Sequence, residues 1–286
     1  MTNKKDFGLP TIREILNNNN IKINKSLGQN FLFDINLTDK IVKSSLPIKT
    51  TVIEVGPGPG CLTRSILKQE PNIVFAIDKD VQSKKMLNDL KKIYKNKLEI
   101  IIDDALHYPI WNLGNAPRQI IANLPYNIGT KMLISWLKHI NQFDMMTLMF
   151  QKEVAQRITA NPNDKAYGRL AILTQSICNA QIAFDVPSMA FTPPPKVDSA
   201  VVVFDPLPIE ERFTHLKVLG EVTMATFSQR RKMLRGSLKS IAKKYGTTPL
   251  KLCESAEINP EFRPENLSII DFQNLALNLK ERTNHP

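Results

Sequence analysis

A short glycine-rich loop stands where an apolar run gives way to a helical pattern. Gly56, Gly58 and Gly60 alternate with two prolines directly after the apolar run 51–55. Glycine lets the backbone approach a ligand closely, and the first strand-to-helix turn of an open α/β sheet is where nucleotides bind. A dinucleotide fingerprint would need a glycine at position 61, where this chain has Cys61. The loop therefore predicts a nucleotide-like ligand other than NAD, although a glycine-rich loop alone is also compatible with a plain turn.

Two carboxylates follow the next two apolar runs. Asp78 ends the run that starts at Ile73, and Asp104 follows the run 98–102. Because parallel strands end at one edge of a sheet, Asp78 could accept hydrogen bonds from the ribose hydroxyls of an adenosine, and Asp104 from its adenine amine. Aspartates at strand ends are also common helix caps. Together with the loop, the two carboxylates favour an adenosine-containing ligand.

A fourth run ends in Asn123, Leu124, Pro125 and Tyr126. The amide oxygen of Asn123 and the backbone carbonyl of Leu124 could accept the two hydrogens of an exocyclic amine, while Tyr126 stacks on the ring that carries it. The alternative is an ordinary Asn-Pro type turn with a tyrosine in the core. With the glycine loop upstream, the pattern predicts a site for a flat heterocycle that bears an amine.

The elements that must position these residues alternate in type. Apolar runs typical of buried strands are separated by helical patterns, which indicates a mostly parallel, doubly wound sheet with helices on both faces. Strand signals stop after Asp205, and helical periodicity continues to the end. The predicted strands are 51–55, 73–77, 98–102, 119–122, 145–150 and 200–204. The predicted divisions are a polar tail at 1–25, an α/β domain at 26–205 and a smaller all-α domain at 206–286.

Composition excludes several classes of protein. The 286 residues suffice for about two domains, and 42% of them are hydrophobic, as in ordinary globular chains. The three cysteines lie far apart, so the sequence supports neither a disulfide framework nor a zinc site with paired ligands, and we expect no metal. No run approaches the roughly 18 apolar residues of a membrane span. We therefore expect a cytoplasmic protein without membrane association.

The charge balance points to a polyanionic partner. The chain has 38 basic and 27 acidic residues, for a net charge of +11. A sign alone does not separate nucleic acid from a membrane surface or a generally basic proteome. Seven basic residues and no acidic ones lie between Ser228 and Lys244. If this segment is one helix, four of the seven follow at i, i+4 steps and form a face that could meet phosphates, unless it is merely a solvated face. Those four are Arg231, Arg235, Lys239 and Lys243.

Taken jointly, the motifs resemble those of the small-subunit ribosomal RNA adenine dimethyltransferases of the KsgA/RsmA type. The resemblance extends from about residue 25 through the C-terminal domain. It is carried by 27–32 (LGQNFL), 56–60 (GPGPG), 104–105 (DA), 123–128 (NLPYNI), 151–154 (QKEV), 167–170 (YGRL), 191–199 (FTPPPKVDS) and 227–232 (FSQRRK). It implies a Rossmann-like class I methyltransferase fold and S-adenosylmethionine as the methyl donor.

The resemblance also implies roles for individual residues. The residues expected to contact the donor are Asn30, Leu32, Gly56, Gly58, Asp78, Asp104 and Asn123. Those expected to frame the target adenine are Asn123, Leu124, Tyr126 and Phe191. Those expected to contact RNA are Arg230, Arg231, Lys232, Arg235, Lys239 and Lys243. The implied substrate is a pair of adjacent adenines in the 3′-terminal hairpin of small-subunit rRNA, dimethylated within a pre-ribosomal 30S-type particle by a monomer.

Two alternatives remain open at this stage. The related methylases of large-subunit rRNA share the glycine loop and the Asn-x-Pro-Tyr pattern, but the element 227–232 favours the small-subunit type. A ribosome-assembly or RNA-binding factor could keep the fold without catalysis. The presence of Asn123, Tyr126 and Asp104 argues against that second alternative.

Overall fold

The computed structural model describes residues 11, 14, 15 and 30–281. Most of the predicted tail at 1–25 and the first three residues of the motif 27–32 therefore lie outside the described residues.

A seven-stranded sheet organises the first part of the chain. The described strands are β1 (Phe31–Leu32), β2 (Thr51–Val55), β3 (Ile73–Asp78), β4 (Leu98–Ile102), β5 (Arg118–Asn123), β6 (Met145–Gln151), β7 (Cys178–Val186), β8 (Phe191–Thr192) and β9 (Ser199–Pro206). Seven of them form the large sheet in the order β4-β3-β2-β5-β6-β9-β7, and the short strands β1 and β8 pair in a separate sheet. All six predicted strands are confirmed to within two residues at each end.

The direction of the strands sets where a ligand can bind. β2 pairs in parallel with β3 and with β5, β3 with β4, and β5 with β6, whereas β9 runs antiparallel to β6. From β2 the chain first builds outward through β3 and β4 and then returns to build β5 and β6 on the other side. A crevice opens at the carboxyl ends of the strands where the order reverses, which here is between β2 and β5.

Helices follow the strands and then make up most of the end of the chain. They are α1 (Ile35–Lys43), α2 (Cys61–Leu67), α3 (Gln82–Met86), α4 (Asn88–Tyr94), α5 (Gly129–Leu137), α6 (Lys152–Thr159), α7 (Arg169–Gln175), α8 (Leu216–Phe227), α9 (Leu234–Ser237), α10 (Lys239–Lys244), α11 (Pro249–Ser255) and α12 (Ile269–Glu281). Asp34 caps α1 by accepting from the amides of Asn36 and Leu37. The mostly parallel sheet and the helical end confirm the predicted fold class.

Three strands were not predicted. In β7, buried or half-buried residues alternate with exposed ones, so this strand lacks the continuous apolar run by which the others are recognised. β1 and β8 have two residues each, and their pairing joins Leu32 to Phe191, which lie far apart in the sequence. Pairings between such distant short segments leave no local signature.

The chain divides into two compact units, and this division corrects the predicted domain boundaries. The first unit is Met1–Ala155 with Gln181–Pro206, and the second is Gln156–Ala180 with Leu207–Pro286. The expected boundary near 206 is present, but residues 156–180 belong with the helical unit. The physical reason is packing, because buried Tyr167 and Ile172 of this segment share a hydrophobic core with Leu219 and Phe272.

The predicted basic helix between Ser228 and Lys244 is also corrected. α8 ends at Phe227, turns occupy the next residues, and α9 begins only at Leu234. The amide of Leu234 donates to the carbonyl of Phe262, and that of Arg235 to the carbonyl of Pro260, so neither bonds four residues back as a continuous helix requires. Arg231 and Arg235 therefore do not share a helix, whereas Lys239 and Lys243 both lie on α10.

Candidate active site

A cavity of about 270 Å³ lies at the carboxyl ends of the central strands of the first unit. It is the place where the order of the strands reverses. Of the predicted site residues, it brings together Asn30, Gly56, Gly58, Asp78, Asp104, Asn123, Leu124 and Tyr126. Residues separated by almost a hundred positions in the sequence thus line one surface.

The glycine loop forms one wall of the cavity, and its three glycines adopt backbone conformations that residues with side chains rarely adopt. Gly56, Gly58 and Gly60 all have positive φ, at 70°, 52° and 87°. A Cβ on Gly58 would lie 2.7 Å from the ring of Phe31, and one on Gly60 would lie 2.6 Å from Leu87. The loop is therefore held close to its surroundings by the absence of side chains, and its backbone is exposed to whatever occupies the cavity.

Asp78 is held in place by its own neighbours. One carboxylate oxygen accepts from the amide of Asp80 at 2.9 Å, and the other accepts from the hydroxyl of Ser83 at 2.5 Å. Burial raises the pKa of Asp78, and these hydrogen bonds partly oppose that shift. The backbone of Gly58 also hydrogen-bonds to Asp78. Since a carboxylate has about four acceptor positions, Asp78 can still accept a hydrogen bond from a ligand hydroxyl. Ser83 was not predicted; a serine at the start of the helix after a strand-end acid is too common a feature to single out.

Asp104 lies beside a lysine that sequence analysis also missed. Nζ of Lys79 is 2.9 Å from Oδ2 of Asp104, and the amide of Leu106 donates to Oδ1 at 3.0 Å. The hydrogen bond from Lys79 is the largest cause of the lowered pKa of Asp104. The carboxylate is therefore ionised at neutral pH and available as an acceptor. Lys79 directly follows Asp78, which is the only hint of its position that the sequence contains.

Asn123 is oriented by the backbone of a distant segment. Its amide nitrogen donates to the carbonyl of Asn30 at 3.1 Å, which directs the other end of the amide, the acceptor Oδ1, away from that contact. Pro125 next to it is fixed as well, because its carbonyl accepts from the amides of Ile128 and Gly129 at the start of α5. The segment thus presents acceptors from a rigid turn.

Tyr126 is half-buried and its phenol is anchored. Its hydroxyl lies 2.5 Å from the hydroxyl of Ser199, and burial raises its pKa, so the phenol is neutral. The ring lines the cavity next to Asn123 and Leu124.

Two of the residues predicted to contact the donor or the target adenine, Phe191 and Leu32, do not line this cavity. Both side chains are buried, at 2% and 5% exposure, and both pack in the hydrophobic core of the first unit. The expected sandwich of Tyr126 and Phe191 around a base is therefore corrected: the backbone pairing of Leu32 with Phe191 holds the second ring in the core. Leu32 instead lines a small adjoining cavity together with Gly56 and Asn123.

Among the predicted RNA-contacting residues, Arg230 and Arg235 lie near acidic side chains, and the other four are exposed. Nε of Arg230 lies 2.6 Å from Glu265, and its guanidinium also donates to the carbonyl of Lys165 at 2.9 Å, so Arg230 holds parts of the second unit together. Arg235 is exposed and lies 3.7 Å from Glu261. The remaining predicted contacts are exposed to solvent: Arg231, Lys232, Lys239 and Lys243.

Among the described residues, no helix is both long and apolar enough to cross a membrane. Within residues 11, 14, 15 and 30–281, no group of three or more histidine, cysteine, aspartate or glutamate side chains is arranged to hold a metal ion.

Comparison with known proteins supports one family. The sequence model of the family described as "Ribosomal RNA adenine dimethylase" matches residues 20–281. A protein of Rhodospirillum rubrum named "Ribosomal RNA small subunit methyltransferase A" is 45% identical over 270 residues, covering 94% of this chain and 92% of the relative. A protein of the same name from Gluconobacter oxydans is 42% identical over 279 residues, covering 97% and 90%.

Solved structures of rRNA and adenosine methyltransferases have a similar fold. A dimethyladenosine transferase from Plasmodium falciparum superposes with a TM-score of 0.75 at 28% identity, covering 88% of this chain and 98% of that one. The 23S rRNA methyltransferase ErmE superposes with a TM-score of 0.63 at 20% identity over 88% and 100% of the two chains, which shows a shared fold. The resemblance found in the motifs is thus confirmed. The chain belongs to the ribosomal RNA adenine dimethylase family and is an rRNA adenine methyltransferase.

Proposed function

We propose that the cavity at the strand ends binds S-adenosylmethionine and an adenine of small-subunit rRNA side by side. When bound, the donor supplies a methyl group activated by its sulfonium charge. The glycine loop supports a fit between the cavity and this donor. A Cβ at Gly58 would collide with Phe31, and the loop backbone itself faces the cavity. Asp78 would hold the ribose hydroxyls, and Asp104 would accept from the adenine amine of the donor.

Asn123 and Leu124 would prepare the target amine. An adenine amine is a poor nucleophile because its lone pair is delocalised into the ring. Hydrogen bonds from its two N–H groups to Oδ1 of Asn123 and the carbonyl of Leu124 would hold the nitrogen toward tetrahedral geometry and free the lone pair. The hydrogen bond from Asn123 to Asn30 fixes the amide in the required orientation. No side-chain nucleophile is needed in this chemistry.

Tyr126 would receive the base. The adenine must leave its stack, at a cost of a few kcal/mol, and stacking on an aromatic ring returns about 1 to 3 kcal/mol. Tyr126 lies on the cavity wall beside the two acceptors, which supports this role. Phe191 could join it only by leaving the core.

The substrate we propose is the pair of adjacent adenines in the 3′-terminal hairpin of small-subunit rRNA. Each would receive two methyl groups, within a pre-ribosomal 30S-type particle in the cytoplasm and by a monomeric enzyme. Support comes from the small-subunit name of the two relatives and from the motif 227–232. The exposed cations Arg231, Lys232, Lys239 and Lys243 would contact RNA phosphates.

The observation that carries this proposal is the meeting of Asp78, Asp104 and the anchored amide of Asn123 on one cavity. It also favours catalysis over the alternative of a non-catalytic assembly factor, which has no use for an oriented acceptor beside a nucleoside site. The likeness to ErmE, at 20% identity, extends to the fold and leaves large-subunit rRNA as the competing substrate.

A methyl-transfer experiment tests the proposal. Small and large ribosomal subunits that lack adenine dimethylation are each incubated with the protein and labelled S-adenosylmethionine, and the modified bases are mapped. We expect label on two adjacent adenines of the small subunit. Label confined to the large subunit would support the competing substrate, and label on neither subunit would refute the proposed activity.

A further inference from the structure

The hydrogen bond between Tyr126 and Ser199 connects the cavity to a strand that has no other part in the site. We propose that Ser199 is a positioning residue that holds the Tyr126 ring in the orientation in which it receives the target base. The inference deepens the proposed function and rests on it. The contact itself is short, 2.5 Å between the two hydroxyl oxygens.

Ser199 reaches this position because of the direction of its strand. β9 runs antiparallel to β6, so the first residue of β9, rather than its last, lies at the edge where the parallel strands end. Ser199 is paired with Gln151, the last residue of β6, and is completely buried. A serine at the start of a strand is thereby placed at the active edge of the sheet.

The backbone around Ser199 is tied down on both sides. The carbonyl of the preceding residue, Asp198, accepts from the amide of Lys152 at 2.9 Å. The carboxylate of Asp198 accepts from the amide of Ser188, also at 2.9 Å. Lys152 in turn forms an ion pair with Asp185 at 2.6 Å. The next residue, Ala200, pairs with Phe150 in the sheet, so the backbone of Ser199 is held from both directions along the chain.

Tyr126 can move mainly through its side-chain torsions. Its backbone follows Pro125, whose carbonyl is already bonded at the start of α5. The bond to Ser199 opposes rotation about χ1, which would carry the hydroxyl and the ring away from their place in the cavity. Loss of one hydroxyl would leave the other unpaired, either that of completely buried Ser199 or that of half-buried Tyr126. It would also free the ring to sample other χ1 rotamers, so fewer base encounters would be productive.

Three variants of the full chain test the role: Ser199→Ala, Tyr126→Phe and the two together. Phenylalanine keeps the stacking ring and removes only the hydroxyl. We expect each single variant to lower kcat for small-subunit methylation about five- to tenfold, the effect of one lost hydrogen bond. Donor Kd should stay within about twofold of the parent value. The double variant should be no slower than the slower single variant, because both changes break the same bond.

Ser176→Ala is the matched control. Ser176 is also a completely buried serine, and its hydroxyl donates to the carbonyl of Ile172 in the second unit. Ser176→Ala should lose about as much thermal stability as Ser199→Ala does, but its kcat should equal that of the parent. Ser199→Thr keeps the hydroxyl and should recover part of the rate lost in Ser199→Ala.

Two results would overturn the inference: parental kcat in Tyr126→Phe, or a double variant whose rate loss is the product of the two single losses. If Ser199→Ala fails to fold, Tyr126→Phe still decides the question. If the parent protein methylates no small-subunit adenine, the proposed function fails. Fluorescence of 2-aminopurine placed at the target position of an RNA hairpin then compares base capture by the same variants, and equal fluorescence in all of them would overturn the role of Ser199.

Discussion

The residues of the strand-end cavity in the first unit and those of the basic segment in the second are positioned by different features of the backbone. In the cavity, Asp78 and Asn123 terminate parallel strands, so the sheet's hydrogen-bond ladder places them at one edge. In the basic segment, the positions of the side chains depend on the residues at which one helix ends and the next begins. The geometry of a site can be predicted from sequence where strand pairing determines it, and is harder to predict where it depends on the ends of short helices.

The strongest challenge to this comparison is Asn123→Ala. Because its amide would bind the amine as the transition state forms, we expect methyl transfer to fall about 100- to 1,000-fold, while thermal unfolding remains close to that of the parent. Transfer of labelled methyl and a melting curve measure the two effects. Asn112→Ala, at an exposed asparagine outside the cavity, is the control and should keep parental turnover. Normal turnover in Asn123→Ala would remove Asn123 from the chemistry.

A change at Asp78 tests the donor half of the cavity. Asp78→Asn keeps the size of the side chain but loses the charged acceptor, so donor affinity should fall about 10- to 100-fold, as expected for hydrogen bonds to a charged group. Titration calorimetry with S-adenosylhomocysteine measures this affinity. Asp89→Asn, at a half-buried aspartate of α4 that pairs with Lys92 outside the cavity, should bind as the parent does. An unchanged Kd in Asp78→Asn would show that the ribose is held elsewhere.

The basic segment is tested at the two lysines that do share a helix. Lys239→Glu with Lys243→Glu should lower methylation of small subunits about tenfold or more at moderate salt and leave donor affinity unchanged. Each lost phosphate contact should reduce the salt slope of particle binding by about 0.7 to 0.9. In contrast, Arg230→Gln should lower the melting temperature, since Arg230 binds Glu265 and a backbone carbonyl within its own unit. Equal methylation by parent and double variant across a salt series would show that α10 is only a solvated face.

A buried acid, Glu54, lies in the strand that leads into the glycine loop, and it affects stability rather than activity. Burial raises the pKa of Glu54 to about 8 from an ordinary value of 4.5. Between these values the folded chain keeps a proton that the unfolded chain releases, so the free energy of unfolding falls as pH rises through this window. Glu54→Gln cannot lose a proton and should gain stability relative to the parent, by at most about 1.4 kcal/mol per pH unit. Melting temperatures from pH 5 to pH 9 measure the difference, and parallel curves would contradict the assignment.

Much of the first unit could be predicted because its signals are local. Apolar runs gave the central strands, and the loop at Gly56 to Gly60 and the acids at the strand ends gave the cavity. What escaped prediction depends on distant partners. Ser83 and Ser199 bind side chains that only the folded sheet brings near them, and Phe191 is drawn into the core by its pairing with Leu32.

The second unit was less predictable for a related reason. Charge spacing suggested one helix, but the amides of Leu234 and Arg235 bond to carbonyls of a loop more than twenty residues away. The segment 156–180 reads as part of the α/β pattern, yet its apolar side chains complete the helical core. Local propensity cannot show which of two cores a segment will join.

A crystal structure of the protein with S-adenosylhomocysteine would show directly whether the cavity is the donor site. We expect the ribose hydroxyls within hydrogen-bond distance of Asp78, the adenine beside Asp104, and the sulfur facing Asn123 and Tyr126. A ligand bound outside the cavity, or bound in it with its ribose away from Asp78 and its sulfur away from Asn123, would refute the proposed site.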